Sequence, residues 1–407
     1  MCSKSGIRWH RAIWQLVIAS SVIISFSAVA GDAERQQAKR MHDRLAGVSP
    51  TNAVIDQMEA LLPGNAEAAA QIAMNNPSFY NVTLKNFAAP WTNEAQDVFV
   101  PLNDYTATVI GMIRDDVDFR EILSGNVIYI GVGGGLPAYS NSNNDHYTAL
   151  ENSGLSLFTA LSSRPQSQVT GLPDVATAGV MTTRAAAEAF FSGGTNRLMF
   201  RATLMHHLCT DLEPIKDVTR TPSRVRRDVS RSPGGDSRIF LNACVGCHAG
   251  MDGMAGAFAK YEFNADTGTL QYQAVNDKFD VDGIAVKHNI NATSFPHGYV
   301  TTDDSWVNYW RNGQNNLLGW RNTVNSVIDE NGHATGNGAK SLGIEIANTR
   351  AFSTCQVKKV FQSVCFRNSN DYAADRTRVN TIADEFESDG YKMKNVFAKV
   401  AAYCKGP

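Results

Sequence analysis

The chain has 407 residues, of which 43% are hydrophobic and 19% are charged, and its formal net charge is −2. This composition is typical of a soluble globular protein, and we find no repeat at a fixed period and no low-complexity tract. The lack of a basic excess weighs against a nucleic-acid partner. The length exceeds the usual size of one compact core and therefore predicts two domains.

Residues 1–30 have the pattern of a signal peptide. An apolar run from Ala12 ends in Ala28-Val29-Ala30, a small-x-small cleavage site, and the chain then turns polar. The basic residues before the run are Lys4, Arg8 and Arg11. The alternative is an uncleaved membrane anchor, because the run is nearly long enough to span a bilayer. Cleavage predicts a periplasmic or extracellular protein with no transmembrane anchor and a net charge of about −5.

Residues 31–195 are predicted to form a mainly helical N-terminal domain with an irregular middle segment. Amphipathic patterning and turn residues give its helices their starts and stops. Ser49 and Pro50 are expected at the N-cap and first position of the second helix. The predicted helices are 32–45, 53–62, 66–74, 105–114 and 185–191, and 126–130 is a strand or an apolar loop.

Residues 196–407 form the second predicted domain. A helix over 196–208 is followed by a connector, residues 211–236, in which three prolines and Gly234-Gly235 prevent regular structure. Asp236 and Ser237 then cap a helix predicted to reach residue 249. Its inward positions are expected to be Ile239, Phe240, Ala243, Cys244, Cys247 and His248.

The segment Cys244-Val245-Gly246-Cys247-His248 has the spacing of a c-type haem attachment motif. On a helix, Cys244, Cys247 and His248 lie on one face. The two thiols can then form thioethers to the haem vinyl groups, and the imidazole can bind the iron. A redox dithiol would require a βαβ context, and a zinc site would require further Cys or His ligands at short spacing. We find neither pattern, so the sequence predicts one covalent haem c.

Four arginines in the connector directly precede this helix, and one of them could pair with the haem propionates. The alternative is a solvated loop. The four are Arg224, Arg226, Arg227 and Arg231.

The second axial ligand of the iron is ambiguous in the sequence. His207 and His297 are the main candidates, His288 is a further one, and an open or water-ligated site is the remaining alternative. Met251 and Met254 follow His248 too closely and are expected to pack in the core. An aromatic group is also expected to pack in the core or against the haem: Trp306, Tyr309, Trp310 and Trp320.

Four of the seven cysteines remain once Cys2 is removed with the signal peptide and two bind haem. An even number in an exported protein predicts two disulfides. Residues 351–365 are expected to form one helix, which separates Cys355 from Cys365 by about 15 Å, too far for a bridge. Each should therefore pair with Cys209 or Cys404, and the two possible pairings stay open.

The stretch Leu198–Phe263 resembles the haem-binding part of the planctomycete-type cytochrome c proteins. The C-terminal helices also resemble that family's terminal domain, so the resemblance covers about half of the chain. This chain departs from the family in having Gly253-Met254 where Pro-x-Gly often follows Met-Asp. The matching residues are Arg201 and Leu204, Leu208-Cys209, Arg224 to Asp228, Cys244 to His248, Met251-Asp252, Tyr261 to Phe263, Ala351-Phe352, Cys355, Lys358 to Phe361, and Gly390 to Lys392. The resemblance implies an exported, mostly helical, haem-binding protein without a settled activity.

The sequence therefore predicts a mainly α fold with a cytochrome c-like haem domain over 196–407. The haem is expected between residues 236–249 and 285–320. The predicted function is electron transfer, with a redox partner protein, in the periplasm or at the cell surface. The alternative is a haem enzyme with an open distal site and peroxide or dioxygen chemistry, whose small-molecule substrate is unknown.

Overall fold

A computed structural model describes residues 32–273 and 292–406. The fold is mainly α-helical, as predicted, with a few short strands. The predicted signal peptide and His288 lie outside the described residues.

The N-terminal helices pack against one another and against the last helix of the chain. Helix α1 spans residues 32–46, α2 spans Asn52–Leu61 and α3 spans Ala66–Met74. Thr51 caps α2, since its hydroxyl accepts a hydrogen bond from the Val54 N–H at 3.3 Å. The prediction of Ser49 and Pro50 at the N-cap and first position was therefore wrong, because the hydroxyl that satisfies the free N–H comes from the later residue.

The remaining helices include those predicted over 105–114, 185–191, 196–208, 236–249 and 351–365; the bounds of the others were not predicted. In chain order they are α4 Lys85–Ala88, α5 Asp104–Arg114, α6 Asp145–Asn152, α7 Leu157–Ala160, α8 Gln166–Thr170, α9 Arg184–Phe190, α10 Arg197–His207, α11 Ser237–Ile239, α12 Val245–Ala255, α13 Gly338–Ala347, α14 Arg350–Cys365, α15 Ala373–Ser388 and α16 Met393–Tyr403.

Three small antiparallel sheets accompany the helices. Their strands are β1 Ile128–Gly131, β2 Leu161–Arg164, β3 Tyr261–Asn264, β4 Thr269–Tyr272, β5 Ser305–Asn308, β6 Val327–Ile328 and β7 Ala334–Asn337. The pairs are β1 with β2 and β3 with β4, and the third sheet has the order β5-β7-β6. The ambiguous segment 126–130 thus contains the start of strand β1.

One apolar core runs through most of the described chain. It includes Met41 near its start, Ile110 in α5, Phe200 in α10 and Phe397 in α16. Residues from both predicted domains therefore share this core, and the boundary at residue 195 stays a prediction.

Two disulfides join the C-terminal helices to each other and to the end of α10. Cys365 pairs with Cys404, and Cys209 pairs with Cys355. The prediction that Cys355 and Cys365 pair elsewhere is confirmed, and so is the single helix that keeps them apart.

Candidate cofactor-attachment site

The Cys-x-x-Cys-His motif lies on a continuous helical rod with a change of winding. Asp236 caps α11 by accepting the Arg238 N–H, and a π-helical turn over Phe240–Cys244 then leads into α12. Phe240 is buried as predicted, but Ile239 and Ala243 are exposed, so their predicted inward positions were wrong. The π turn holds about one extra residue and rotates the preceding positions around the axis. The helix also continues past the predicted end at residue 249.

Both thiols of the motif are free, whereas the other four described cysteines are paired. Cys244 and Cys247 are half-buried, and Cys244 packs at the edge of a small apolar cluster that includes Phe240. The Cys247 Sγ lies 3.7 Å from the carbonyl oxygen of Leu212 in the connector. The two sulfurs are therefore accessible and are held on one stretch of helix.

The His248 imidazole is oriented by a buried carboxylate one turn later. Its Nδ1 lies 3.3 Å from Oδ2 of Asp252, whose side chain is 0% exposed while that of His248 is 24% exposed. A carboxylate beside Nδ1 favours the proton on that nitrogen and leaves the Nε2 lone pair free. This is the arrangement by which proteins fix a metal-binding histidine.

Two arginines hold Asp252 in place. Arg197 donates to both of its oxygens, at 2.6 and 3.0 Å, and also forms a two-pronged pair with Asp228 at 2.6 and 2.8 Å. The backbone N–H of Arg226 lies 3.3 Å from Asp252 Oδ2, and its guanidinium lies 3.6 Å from Oδ1.

The charges of this network keep the carboxylate ionised. Burial alone would raise the pKa of Asp252, but Arg226, His248 and Arg197 together hold it well below its usual range. Burial lowers the pKa of Arg226 to about 10, although the negative charge of Asp252 acts to raise it. Asp252 is therefore a permanent acceptor for the imidazole.

Helix α12 packs closely against aromatic side chains of β5 and of the residues that follow it. A Cβ added at Gly250 would lie 1.9 Å from Cε2 of Trp310, so only glycine allows this approach. Trp306, Tyr309 and Trp310 are buried, which confirms their predicted packing role, and Trp320 is partly buried. Met251 and Met254 are also buried in the core, as predicted.

A cleft of about 510 Å³, here called the Phe240 cleft, opens beside the π turn that precedes the motif, and none of residues 244–248 contributes to its lining. Its lining includes Phe240 and Leu241 from the π turn, Val225 and Arg231 from the connector, and His297. Its volume lies within the range of small-molecule and cofactor sites.

The loop that carries His297 is anchored to the connector by its backbone. The N–H groups of Ser294 and Phe295 both donate to the Arg227 carbonyl at 2.9 Å, and the Tyr299 N–H donates to the Val225 carbonyl at 3.0 Å. A Cβ at Gly298 would lie 2.8 Å from the Arg227 Cα, so this close approach requires glycine. His297 itself is exposed at the cleft.

The other main distal candidate, His207, lies in a different environment. It is fully buried, its Nε2 lies 3.0 Å from the Tyr105 hydroxyl, and its ring contacts Trp91 and Phe352. Burial lowers its pKa well below the usual range. Of the two histidines, only His297 lines the Phe240 cleft.

The four connector arginines have different surroundings. Arg226 supports Asp252, and Arg224 contacts the Tyr299 hydroxyl and the Ser305 hydroxyl. Arg231 lies over the rings of Phe240 and Phe295, at 4.5 and 4.7 Å, and lines the cleft. Arg227 provides the backbone carbonyl that anchors the loop of His297.

The residues present fit a covalently attached haem better than the competing chemistries. Burial and the nearby Glu213 raise the pKa of Cys247, whereas exchange-active dithiols have a lowered thiol pKa. Within residues 32–273 and 292–406, no group of three or more His, Cys, Asp or Glu side chains could hold a metal ion alone. Two free thiols and an oriented imidazole on one helix are the protein groups that attach haem c and bind its iron.

Sequence reasoning identified the three motif residues but not the carboxylate network around them. Asp252 follows His248 at the i, i+4 spacing of facing helix positions, which was a usable signal. Arg197 lies 55 residues before Asp252, and no local pattern links the two.

Two further observations complete the description. Among the described residues, no helix is both long and apolar enough to cross a membrane. Comparison of the chain with protein-family models, curated proteins and solved structures gives no match. The resemblance to planctomycete-type cytochrome c proteins therefore stays a prediction.

Proposed function

We propose that this protein is an exported mono-haem c-type cytochrome that transfers electrons. Cys244 and Cys247 would attach the haem through thioethers, and Nε2 of His248 would be the proximal iron ligand. The observation that carries the proposal is the hydrogen-bond geometry between His248 Nδ1 and the buried Asp252.

That observation favours a metal ligand over an ordinary surface histidine. A carboxylate that is 0% exposed and bound by Arg197 is costly to bury and to keep charged. Here the buried Asp252 fixes one tautomer and one ring orientation of His248, a half-buried histidine next to two free thiols. Haem supplies an iron that changes oxidation state by one electron, and the protein supplies the ligand field and the surrounding charges.

The chain's own residues would set the properties of this centre. Asp252 increases the basicity of the proximal imidazole and places a negative charge behind it. Arg231 lines the Phe240 cleft with two backbone carbonyls as its hydrogen-bond acceptors, so it is our candidate for pairing with a haem propionate. His297 is our candidate for the distal ligand, because it lines the same cleft.

Localisation and partner belong to the same proposal. The two disulfides fit an oxidising compartment such as the periplasm or the cell surface. An electron carrier of this kind requires a redox partner protein.

The test is expression of the full chain in a host that matures c-type haem, followed by mass spectrometry and absorption spectroscopy. We expect a mass increase of one haem, retained after denaturation, and a sharp low-spin ferrous spectrum. Cys244→Ala and Cys247→Ala should each lose one thioether. A folded protein without covalent haem would refute the proposal.

A matched histidine control is available in the same chain. His333 also faces an aspartate four positions away, with Nδ1 at 3.1 Å from Asp329 Oδ2. His248→Ala should abolish the low-spin spectrum, and His333→Ala should leave it unchanged.

Carbon monoxide distinguishes the electron carrier from the haem-enzyme alternative. A ferrous spectrum that carbon monoxide does not change means that both axial positions are filled, as an electron carrier requires. A spectrum that shifts means an open iron, and the enzyme alternative would replace electron transfer.

A further inference from the structure

A second cleft, here called the Lys359 cleft, has a volume of about 600 Å³ and lies between α10, α14 and the residues after α4. Lys359 and Gln362 come from α14, and His206 comes from α10. Apolar side chains form much of the remaining wall: Phe87, Pro90, Trp91 and Met205. This is the mixture of apolar wall and few polar groups that typifies a small-molecule site.

Lys359 has no counter-charge in this cleft. Its Nζ lies over the Trp91 ring, 3.7 Å from the centroid, and no ion pair of Lys359 is found among the described residues. The acidic residue of the lining, Asp211, is already paired with Arg201 at 2.6 Å. Burial holds the pKa of Lys359 well below its usual range, so the amine lacks a group that would favour its charged form.

His206 adds a second basic group to the lining. It is buried, and its ring centroid lies 6.0 Å from that of Phe190. Burial, together with the neighbouring Lys359, lowers its pKa to about 3. A negative charge next to these two basic groups would favour their protonated forms, so the cleft suits an anionic ligand.

We propose that the Lys359 cleft binds an organic carboxylate. The carboxylate would pair with the Lys359 ammonium and accept a hydrogen bond from His206 or Gln362, and the apolar body would pack against Phe87 and Met205. An aromatic acid fits this chemistry, because its ring can pack against the apolar wall while its carboxylate faces Lys359. The site is separate from the Phe240 cleft, with which it shares no lining residue.

The experiment uses the full mature protein with benzoate as the probe and benzamide as its neutral isostere. Calorimetric titration should show benzoate binding at least tenfold more tightly than benzamide. Benzoate should also slow the chemical labelling of Lys359, followed by peptide mass spectrometry, while Lys358 is labelled at an unchanged rate. Equal binding of the two probes, or no protection of Lys359, would overturn the proposal.

A pair of adjacent substitutions separates the site from a general effect of charge. Lys359→Met should reduce benzoate affinity at least tenfold, to the level of benzamide, and Lys358→Met should leave it within twofold. Unchanged affinity in Lys359→Met would place the benzoate elsewhere, including at the haem iron, and would refute the assignment. The comparison of the two probes on the wild-type protein decides the question if Lys359→Met does not fold.

Discussion

Replacing Asp252 by asparagine removes the charge at the centre of the network behind His248. The side chain is 0% exposed, and the substitution removes the negative charge that faces the guanidinium of Arg226, itself 5% exposed, and the guanidinium of Arg197. Breaking a buried pair by removing one partner costs about 3–5 kcal/mol. Asparagine has nearly the same shape, so lost packing contributes little, and we expect a loss of that size in the free energy of unfolding.

Equilibrium unfolding in urea, followed by circular dichroism, measures this loss. The matched control is Asp211→Asn, which breaks the pair with Arg201, whose partners are 45% and 37% exposed. An exposed pair contributes about 0.2–1 kcal/mol. The reasoning is refuted if the two variants lose the same free energy.

The same variant tests the link between Asp252 and the proposed iron. Loss of a negative charge behind the proximal imidazole stabilises the reduced form relative to the oxidised form. The reduction potential of Asp252→Asn should therefore be more positive than that of the wild type. An unchanged potential in Asp252→Asn would separate the carboxylate from the redox centre.

Three further predictions follow from single contacts. Gly250→Ala places a Cβ 1.9 Å from a tryptophan ring carbon and should lower the free energy of unfolding in urea by about 3 kcal/mol. The control Gly64→Ala, whose added Cβ would have nothing within 4 Å, should change that free energy by under about 0.5 kcal/mol. Hydrogen bonds from Arg367 lower the pKa of Asp375. The stability that this aspartate contributes is therefore present above about pH 4 and is lost as the pH falls further. Asp375→Asn should make the free energy of unfolding less dependent on pH in that range. Gly298→Ala places a Cβ 2.8 Å from the connector backbone and should detach the loop of His297, so that the ferrous protein gains carbon monoxide binding; no gain would argue against His297 as the distal ligand.

Local patterns predicted the helices well, because helix starts and stops depend on residues within a few positions. Helix α3 has the predicted bounds 66–74, and α14 differs from its prediction by one residue. The phase of the haem-motif helix was predicted less well, since a π turn leaves no mark on apolar spacing. That change of winding is why Ile239 and Ala243 face solvent.

Some residues of the candidate site could be predicted from local spacing, and others depend on contacts between distant segments. The three motif residues and Asp252 lie within nine positions, so spacing alone relates them to one another. The positions of Arg197, His297 and Lys359 depend on how distant segments pack, and no single-sequence pattern records that. The length of one helix likewise excluded a Cys355–Cys365 bridge, but only the fold shows that Cys209 pairs with Cys355.

The Cys209–Cys355 bridge has a consequence for the biogenesis of the protein. In chain order, the two free thiols lie between the cysteines of this bridge, which are 146 residues apart. If the chain is exported as proposed, with its N-terminus first, Cys209 meets an oxidant together with Cys244 and Cys247 before its native partner arrives. The proposed haem attachment would then either precede oxidation or follow disulfide isomerisation. Removing the bridge with Cys209→Ala and Cys355→Ala should make the yield of attached haem independent of a disulfide isomerase in the expression host.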